Sequence, residues 1–435
     1  MKKFLFIAAS AALVLAACAK IENHQVTKET PVSFGVYAGK IPSTKAVSAA
    51  QFGNITTTEL KLATAGFGVF GYYTGNDSYA PATHTANFMY NEKVTWDTDH
   101  WTYAPVKYWP NEHGANAVSS DSDKLTFLAY APYVANLAIG AASSTVSDGA
   151  GTPAAATEGI TAMTGNTATA SASLTFSVPA SKDQQIDLLY GVLKTQSVNV
   201  DGTSQGVVDG AIENLTKQKT GGKVDIKFKH ALAKAQIDIC DIIDQVAPPS
   251  SVAPTTTKVV VKNLNLLGVD SDGNRFGTAG ILNLYTGAWS SVTGTASFAI
   301  TPLPAAISVA SAPTSWASLS AVEGVVEGGL TALTTPLDKI DIMFVPGGKI
   351  RGVEIIYYVV TEDTKLSGGV SVVENHITKE FDTDDVADGN QPITTVAGKQ
   401  YNLNIQLGLT SVKLQADVDD WDDDDYSIDL PKNVS

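Results

Sequence analysis

Cysteine, histidine and charged residues are all scarce in this sequence. The 435 residues include two cysteines, Cys18 and Cys240, six histidines and 17% charged side chains. Two cysteines, of which Cys18 is assigned to lipid below, cannot build a disulfide framework, so packed cores must stabilise the fold. The formal net charge of −15 argues against nucleic acid as a partner, because phosphates require a basic surface.

Patterns of catalysis and metal binding are also lacking. Residues 202–206 match G-x-S-x-G, but a nucleophile elbow needs a buried strand before the serine and a helix after it, and the flanks here are polar and glycine-rich. Residues 270–274 resemble part of a calcium loop, but Arg275 and Ile281 stand where that loop needs glycine and glutamate. The histidines have no metal-ligand spacing. We therefore predict no catalytic residue, metal site or cofactor, and a chain that is not an enzyme.

Long apolar runs are lacking after the first residues. Lys2 and Lys3 precede an apolar run of about a dozen residues, too short to span a bilayer but typical of a signal peptide. The run ends in small residues before a cysteine, which predicts a signal peptide over 1–17, cleavage between Ala17 and Cys18, and lipidation of Cys18. An ordinary signal peptide with an unrelated cysteine is the alternative. The coincidence of a basic start, run length and small residues favours the lipoprotein.

The rest of the chain contains segments in which apolar and polar residues alternate. This alternation predicts an all-β protein. Residues 31–38 form the first predicted strand, with Val32, Phe34, Val36 and Ala38 on one face. An aromatic block over residues 88–109, with a turn at 97–99, predicts a hairpin in a sandwich core; a sugar-stacking surface is the alternative.

The clearest strand pattern, residues 224–240, changes phase at residues 230–232. This change predicts either a bulge or a crossing between two sheets, with a structural role for His230. Residues 134–173 are rich in small residues and predict a long loop. Strands separated by turns predict two β-sandwich domains, over residues 46–221 and 222–421.

Two further segments stand out beside the predicted domains. Residues 41–47 contain a proline, small residues and Lys45, so this loop is either a protease site or an ordinary exposed loop. The acidic run over 419–425 is typical of a solvated, extended segment, with calcium binding as the alternative. Beyond it, within the predicted tail 422–435, Tyr426, Ile428 and Leu430 alternate.

Several motifs, taken in order, resemble the fimbrillin family of Bacteroidales, the lipoprotein precursors of type V pili. The motifs are Leu15-Ala16-Ala17-Cys18, Thr44-Lys45-Ala46, Lys107-Tyr108-Trp109-Pro110, and residues 125–132, 185–190, 228–234 and 401–405, ending near Trp421. The resemblance implies two tandem transthyretin-like (Greek-key) β-sandwich domains.

The resemblance also implies an assembly route. The lipidated precursor reaches the outer membrane, and a trypsin-like protease cuts between Lys45 and Ala46. Residues 18–45 then leave as a propeptide that carries the first strand, and a strand of another pilin subunit replaces it in a cell-surface fimbria that supports adhesion and biofilm formation. The family residue at the cut is arginine, and lysine stands here. The alternative is an anchored monomeric lipoprotein, a tip or accessory adhesin, that binds a glycan or a host protein.

The sequence supplies a physical reason for strand replacement. Losing Val32, Phe34, Val36 and Ala38 would uncover an apolar groove and unpaired backbone groups, and both are costly unless refilled. A foreign strand can refill them by β-strand addition. The alternation of Tyr426, Ile428 and Leu430 makes the C-terminal tail a candidate donor strand.

Overall fold

The structure is a computed structural model that describes most of the chain after the leader. The described residues are 29–38, 57–62, 66–110, 123–134, 138–139, 144–145, 159–165, 172–198, 204–243, 256–269, 275–381, 392–409 and 411–421. No helix within these ranges is long and apolar enough to cross a membrane.

Strands dominate the described residues, which confirms the predicted all-β class. In chain order the strands are β1 (Ser33–Tyr37), β2 (Phe67–Gly75), β3 (Met89–Asp97), β4 (His100–Thr102), β5 (Lys124–Ala131), β6 (Ala138–Ile139), β7 (Ser144–Thr145), β8 (Gly159–Thr164), β9 (Ser173–Ser177), β10 (Leu189–Val198), β11 (Ser204–Gly210), β12 (Lys223–His230), β13 (Ala233–Asp241), β14 (Thr257–Leu267), β15 (Phe276–Asn283), β16 (Trp289–Thr295), β17 (Ser297–Ala299), β18 (Ile340–Phe344), β19 (Lys349–Ile350), β20 (Gly352–Glu362), β21 (Val370–Glu380), β22 (Ile393–Thr394), β23 (Lys399–Leu407) and β24 (Val412–Asp420).

Helical structure in the same ranges is limited to single turns. They are α1 (Thr57–Leu60), α2 (Lys217–Thr220) and 3₁₀ turns at Lys182–Gln184, Trp316–Leu319 and Leu330–Ala332. Because Ser204 begins a strand rather than a helix, residues 204–210 lack the element that a nucleophile elbow requires after its serine. Residues 270–274, the calcium-loop fragment, lie outside the described residues.

Four main sheets and one small ribbon are formed. Sheet 1 has the order β1-β12-β10-β5-β2-β3-β4, with β11 beside β10; sheet 2 has the order β16-β15-β9-β8-β6-β7; sheet 3 is β18-β13-β23-β24; sheet 4 is β17-β14-β20-β21; and β19 pairs with β22. The β3–β4 hairpin turns at the predicted residues, with Trp96 opposite Trp101. Strands β6, β7 and β8 lie within residues 134–173, so the long loop predicted there was wrong at Ala138–Ile139, Ser144–Thr145 and Gly159–Thr164.

The predicted phase change is a crossing between two sheets rather than a bulge. Strand β12 pairs with β10 in sheet 1 up to His230, and β13 pairs with β18 and β23 in sheet 3 from Ala233 onward. Alternate residues are buried on each side of the crossing, and Ala231 and Leu232 are buried at the switch itself. Changing parity there lets one continuous segment bury its apolar residues in two different layers.

Sheet 1 is buried on both faces at its centre. On β2, Phe67 and Val69 belong to one core, whereas Phe70 and Tyr72 on the opposite face belong to another. The first core also contains the side chains of β1, and the second extends through sheet 2 to Trp421. Burial on both faces explains why β2 and β5 read as nearly continuous apolar runs.

The domain boundary expected near residue 221 remains a prediction. By sheet membership the chain leaves sheet 1 after His230. Sheet 2 also joins β9 to β15, with Phe176 opposite Gly280, and these strands lie on opposite sides of the expected boundary. The two halves of the sequence therefore share one sheet and one core.

Candidate functional site

Strand β1 lies at the edge of sheet 1 and pairs with β12 in parallel. The register places Ser33 opposite Lys223, Gly35 opposite Asp225 and Tyr37 opposite Lys227. Pro31 precedes the strand. Proline has no backbone N–H to donate, and at the start of an edge strand this costs no hydrogen bond within the sheet. The strands on the other side of β12 are antiparallel to their neighbours, so β1 is the parallel addition at this end of an antiparallel sheet.

The four predicted side chains of β1 all point into the first core. Val32, Phe34, Val36 and Ala38 are 2%, 4%, 7% and 5% exposed. Burying side chains of the Val and Phe type contributes roughly 1.5–3 kcal/mol each. The strand is therefore a substantial part of this core.

Phe34 is the centre of the contact. Its ring lies 6.0 Å from Phe67, 5.7 Å from Phe127 and 5.7 Å from Tyr103, measured between ring centroids. The first two pairs are edge-to-face, which is a favoured aromatic geometry. Removing β1 would leave a pit in this core lined by three aromatic rings.

A second segment holds the start of β1 from its outer edge. Val32 N donates to Lys107 O at 2.9 Å, and Trp109 N donates to Thr30 O at 2.9 Å. The Tyr103 hydroxyl, which is inside the core, donates to Val32 O at 2.9 Å. Burial raises the pKa of this hydroxyl to about 12, so it stays a donor at neutral pH.

Gly222 connects this segment to β12. Its carbonyl oxygen accepts from Ser33 N at 3.2 Å and from Trp109 Nε1 at 2.9 Å. Its φ of +91° is a backbone conformation that favours glycine. The tight turn before β12 therefore places one carbonyl where β1 and the buried Trp109 can share it.

Ala38, directly after β1, is hydrogen-bonded to Thr57, the first described residue after segment 39–56. Ala38 N donates to Thr57 Oγ1 at 2.9 Å, and Thr57 N donates to Ala38 O at 2.9 Å. The residues on either side of segment 39–56 are thus in contact. Lys45 and Ala46, the expected cleavage site, belong to that segment and lie outside the described residues.

The other predicted site residues also fall outside the described ranges. They are Ala17, Cys18, Tyr426, Ile428 and Leu430. Sequence reasoning missed Thr57, Tyr103, Lys107 and Gly222 as partners of β1. Lys107 stands in one of the family motifs and Tyr103 in the aromatic block, but neither pattern indicates contact with residues far away in the sequence.

A second buried cluster lies where sheets 1 and 3 meet. Asp187 Oδ2 and His230 Nδ1 are 2.8 Å apart, and the His230 ring stacks on Trp421 at 4.0 Å with 4° between planes. Lys234 Nζ lies 5.0 Å from the centre of the same indole. The structural role expected of His230 is confirmed. The cluster fixes the position of Trp421, the last described residue, which directly precedes the predicted tail 422–435.

The fold and this site define a class: an all-β protein whose apolar edge strand directly precedes, in the sequence, the segment predicted to be cut. Residues 54–421 match the fimbrillin-like family, and the chain belongs to that family. The predicted resemblance is confirmed.

Two relatives illustrate the match. The chain is 24% identical to the fimbrium subunit Fim1C of Phocaeicola vulgatus over 445 aligned positions, covering 99% of this chain and 100% of that protein. It also resembles the crystal structure of a fimbrial protein from Bacteroides vulgatus, with a TM-score of 0.56 and 18% identity over 90% of this chain and 99% of the other. At that identity the structural likeness shows the fold.

Proposed function

We propose that this chain is a structural subunit of a type V pilus, exported as a lipoprotein precursor and matured by removal of β1. Lipid on Cys18 anchors the precursor in the outer membrane, and a trypsin-like protease cuts after Lys45. The strand then departs, and a strand of another pilin subunit fills its place. Membership of the fimbrillin-like family supports the class of function.

The observation that carries the proposal is the position of β1. It is an edge strand whose four core-facing side chains are buried, and in the sequence it is joined to the following residues through segment 39–56, which contains Lys45. A cut after Lys45 separates β1 from the rest of the chain, leaving only noncovalent contacts. The emptied groove would expose Phe67, Phe127 and the edge of β12, which strongly favours refilling by another strand.

Limited trypsin digestion of the precursor lacking residues 1–18 tests the route. We expect a cut that leaves Ala46 as the new N-terminus, release of the β1 peptide, and SDS-resistant ladders. Lys40 also lies in segment 39–56, so Lys45→Ala, Lys40→Ala and the double variant identify which cut matters.

The double variant is expected to stay monomeric with β1 retained, as judged by mass spectrometry of the purified product. Ladders that form equally well in the double variant would show that removal of β1 is not the trigger. A cleaved wild-type chain that stays monomeric and keeps the β1 peptide would favour the alternative, an anchored lipoprotein that binds a glycan or host protein.

A further inference from the structure

Strand β21 forms an edge of sheet 4 along which no described strand is paired. It is eleven residues long, pairs with β20 over its full length without a register shift, and contains no proline. Natural edge strands are often short, bulged or interrupted by proline, because a long regular edge can pair with another chain. Val373 on this strand is 50% exposed. The edge is therefore suited to the addition of a further strand.

Asn375 lies at the middle of β21, on the face that points toward the large core. Its neighbour on β20 is Tyr357, which is fully buried in that core. Asn375 is 9% exposed, and its side-chain nitrogen Nδ2 has no hydrogen-bond partner among the described residues. A buried donor without an acceptor is costly. A strand that supplied an acceptor at this point of the edge would remove the cost.

The backbone groups at the free edge belong to the even-numbered residues of β21. Phe381 N donates to Arg351 O at one end of the β20–β21 pair, and Asp363 N donates to Gly369 O at the other. Because these groups alternate along an antiparallel strand, the odd-numbered residues of β21 turn N–H and C=O toward β20. The even-numbered residues turn theirs outward. An antiparallel partner can bond only where its own outward-facing residues lie opposite these.

We propose that β21 pairs with β21 of a second copy of this chain, antiparallel, about a twofold axis through Asn375. An isologous contact of this kind uses the same surface on both subunits. It places Asn375 opposite itself, Val373 opposite Ile377 and Glu374 opposite His376. The even-numbered residues of the two copies then lie opposite each other, as the free backbone groups require.

Asn375 gains in this register the acceptor that it lacks. Its own N–H and C=O point toward β20, so it occupies a non-hydrogen-bonded position, where opposite Cα atoms are only about 4.5 Å apart. Nδ2 of each copy can then donate to Oδ1 of the other. On the same face the half-exposed Val373 and the partly buried Ile377 cover each other. The core-facing side of the contact is thus apolar around one reciprocal amide pair.

On the outer face of the sheet, the same register keeps like charges apart. Glu374 lies opposite His376, and the twofold axis repeats this pair. Within one chain Lys262 Nζ and Glu374 Oε1 are 3.4 Å apart, and His376 Nε2 lies 2.9 Å from Glu354 Oε1. Pairing two copies joins these exposed groups into one row of alternating basic and acidic side chains, which favours association.

Neighbouring registers match the side chains less well. An axis through Glu374 would place that carboxylate opposite its own copy, and like charges directly opposite repel each other. An axis through His376 would place Asn375 opposite Ile377, which has no side-chain acceptor. The axis through Asn375 is the one of these three in which apolar, amide and charged residues each meet a matching group.

The contact is expected to be weak when only two copies meet. A contact confined to two strand edges falls at or below about 1,200 Å², the lower limit of standard stable interfaces. Weak contacts become effective where many copies are held together, because each then acts at a high effective concentration. Copies held on one membrane or along one fibre meet that condition. This consequence rests on the function proposed above, whereas the pairing itself does not.

A cysteine scan of the uncut precursor lacking residues 1–18, with Cys240→Ser as background, tests the axis. In a twofold pair only the residue on the axis lies opposite itself. We expect Asn375→Cys to give disulfide-linked dimers when oxidised by dissolved oxygen, because a non-hydrogen-bonded pair brings the two sulfurs within reach. Val373→Cys should link only when mixed with Ile377→Cys. Ser371→Cys, exposed on the same strand, is the control for random collision.

Sedimentation of the uncut precursor without cysteine substitutions measures the association itself. Asn375→Asp keeps the shape of the side chain but brings two carboxylates together at the axis. We expect it to weaken dimerisation about tenfold or more at neutral pH. Gln415→Glu is the matched control, because it makes the same amide-to-acid change on an exposed position of β24. Melting temperatures of both variants separate a folding defect from a loss of association.

Each remaining outcome contradicts the proposal. Self-linking at Glu374→Cys or His376→Cys in place of Asn375→Cys would overturn the register, and equal linking at Ser371→Cys and Asn375→Cys would show collision only. Wild type that stays monomeric at about 1 mM, where even a Kd of that size gives dimers, would overturn the pairing. None of these measurements involves removal of β1. Failure here therefore leaves the proposed function intact, and absence of ladders after trypsin leaves this pairing intact.

Discussion

Asp241 is a carboxylate whose surroundings disfavour its charge. The residue is 3% exposed at the end of β13, and Oδ1 accepts from Ile243 N at 3.2 Å. Among the described residues Oδ2 has no hydrogen-bond partner. Burial raises the pKa of Asp241 to about 6, and Glu327 adds to the rise. The folded chain therefore binds a proton more tightly than the unfolded chain does.

The sign of the resulting pH dependence follows from linkage. A raised pKa means that the contribution of Asp241 to stability is fully present below its unfolded pKa of 3.8 and is lost as pH rises through about 6. Asp241→Asn keeps the acceptor for Ile243 N and removes the charge. We expect it to raise the free energy of unfolding at pH 8 by about 1–2 kcal/mol, after allowance for solvent screening, and to have little effect at pH 4.

Urea titrations at pH 4, 6 and 8 measure this difference. Asp363→Asn is a matched control, because Asp363 Oδ1 also accepts from a backbone N–H two residues on, that of Lys365, on an accessible turn. A gain in stability for Asp241→Asn that is equal at all three pH values would show that titration of Asp241 is not its cause.

Trp421 carries the second prediction at the scale of single residues. It is 1% exposed and stacks on His230. We expect Trp421→Ala to lower the free energy of unfolding by about 3–5 kcal/mol, because it opens a large cavity where two sheets meet. Tyr108→Ala is the control; Tyr108 is 46% exposed, and its loss should cost about 0.5 kcal/mol or less in chemical denaturation. Equal losses for the two variants would contradict the role given to the stack.

At the scale of elements, the sequence predicted the existence of β1 and its buried face but not its neighbours. Val32, Phe34, Val36 and Ala38 alternate, and alternation depends only on the two-residue repeat of a strand. Parallel pairing with β12 brings together residues about 190 positions apart, from Ser33 to Lys223. No periodicity in either segment specifies that contact, because many apolar strands would fit the same pattern.

A substitution within β1 should separate stability from assembly. Phe34→Ala is expected to destabilise the uncut precursor by about 3–5 kcal/mol. After trypsin treatment, the same change should speed release of β1 and ladder formation, because the departing strand is held less strongly. Ser33→Ala, which loses only the bond from Ser33 Oγ to Gly222 O, should cost about 1 kcal/mol or less.

Denaturation and the time course of SDS-resistant ladders give the two readouts. Slower ladder formation in Phe34→Ala than in wild type, with the precursor folded, would contradict the view that β1 must leave before assembly.

At the scale of the whole molecule, sheet 2 joins the two halves of the chain. Strands β9 and β15 pair over Ala279 to Asn283, and Phe176 contributes to the same core as Phe344 and Tyr401. Two independent sandwiches would each bury their own core. Here one core draws residues from Phe70 to Trp421, so the halves should stabilise each other.

We therefore expect one cooperative unfolding transition for the described body of the protein. Hydrogen exchange measured by mass spectrometry should give the same opening free energy for the protected amides of β5 and of β20. Phe176→Ala should lower both values together, by about 3–5 kcal/mol. A loss confined to one of the two strands would show that the halves unfold independently.

The sequence by itself determined the all-β class, the buried face of β1 and the change of phase at residues 230–232, because side-chain alternation is a local consequence of strand geometry. It also carried enough ordered motifs to identify the family. The tertiary structure decided that this change of phase is a crossing between two sheets and not a bulge. It also decided which strands are neighbours: β1 in parallel with β12, β9 with β15, and Trp421 on His230. Such pairings depend on which apolar surfaces meet when the whole chain packs, and that information is distributed over residues far apart in the sequence.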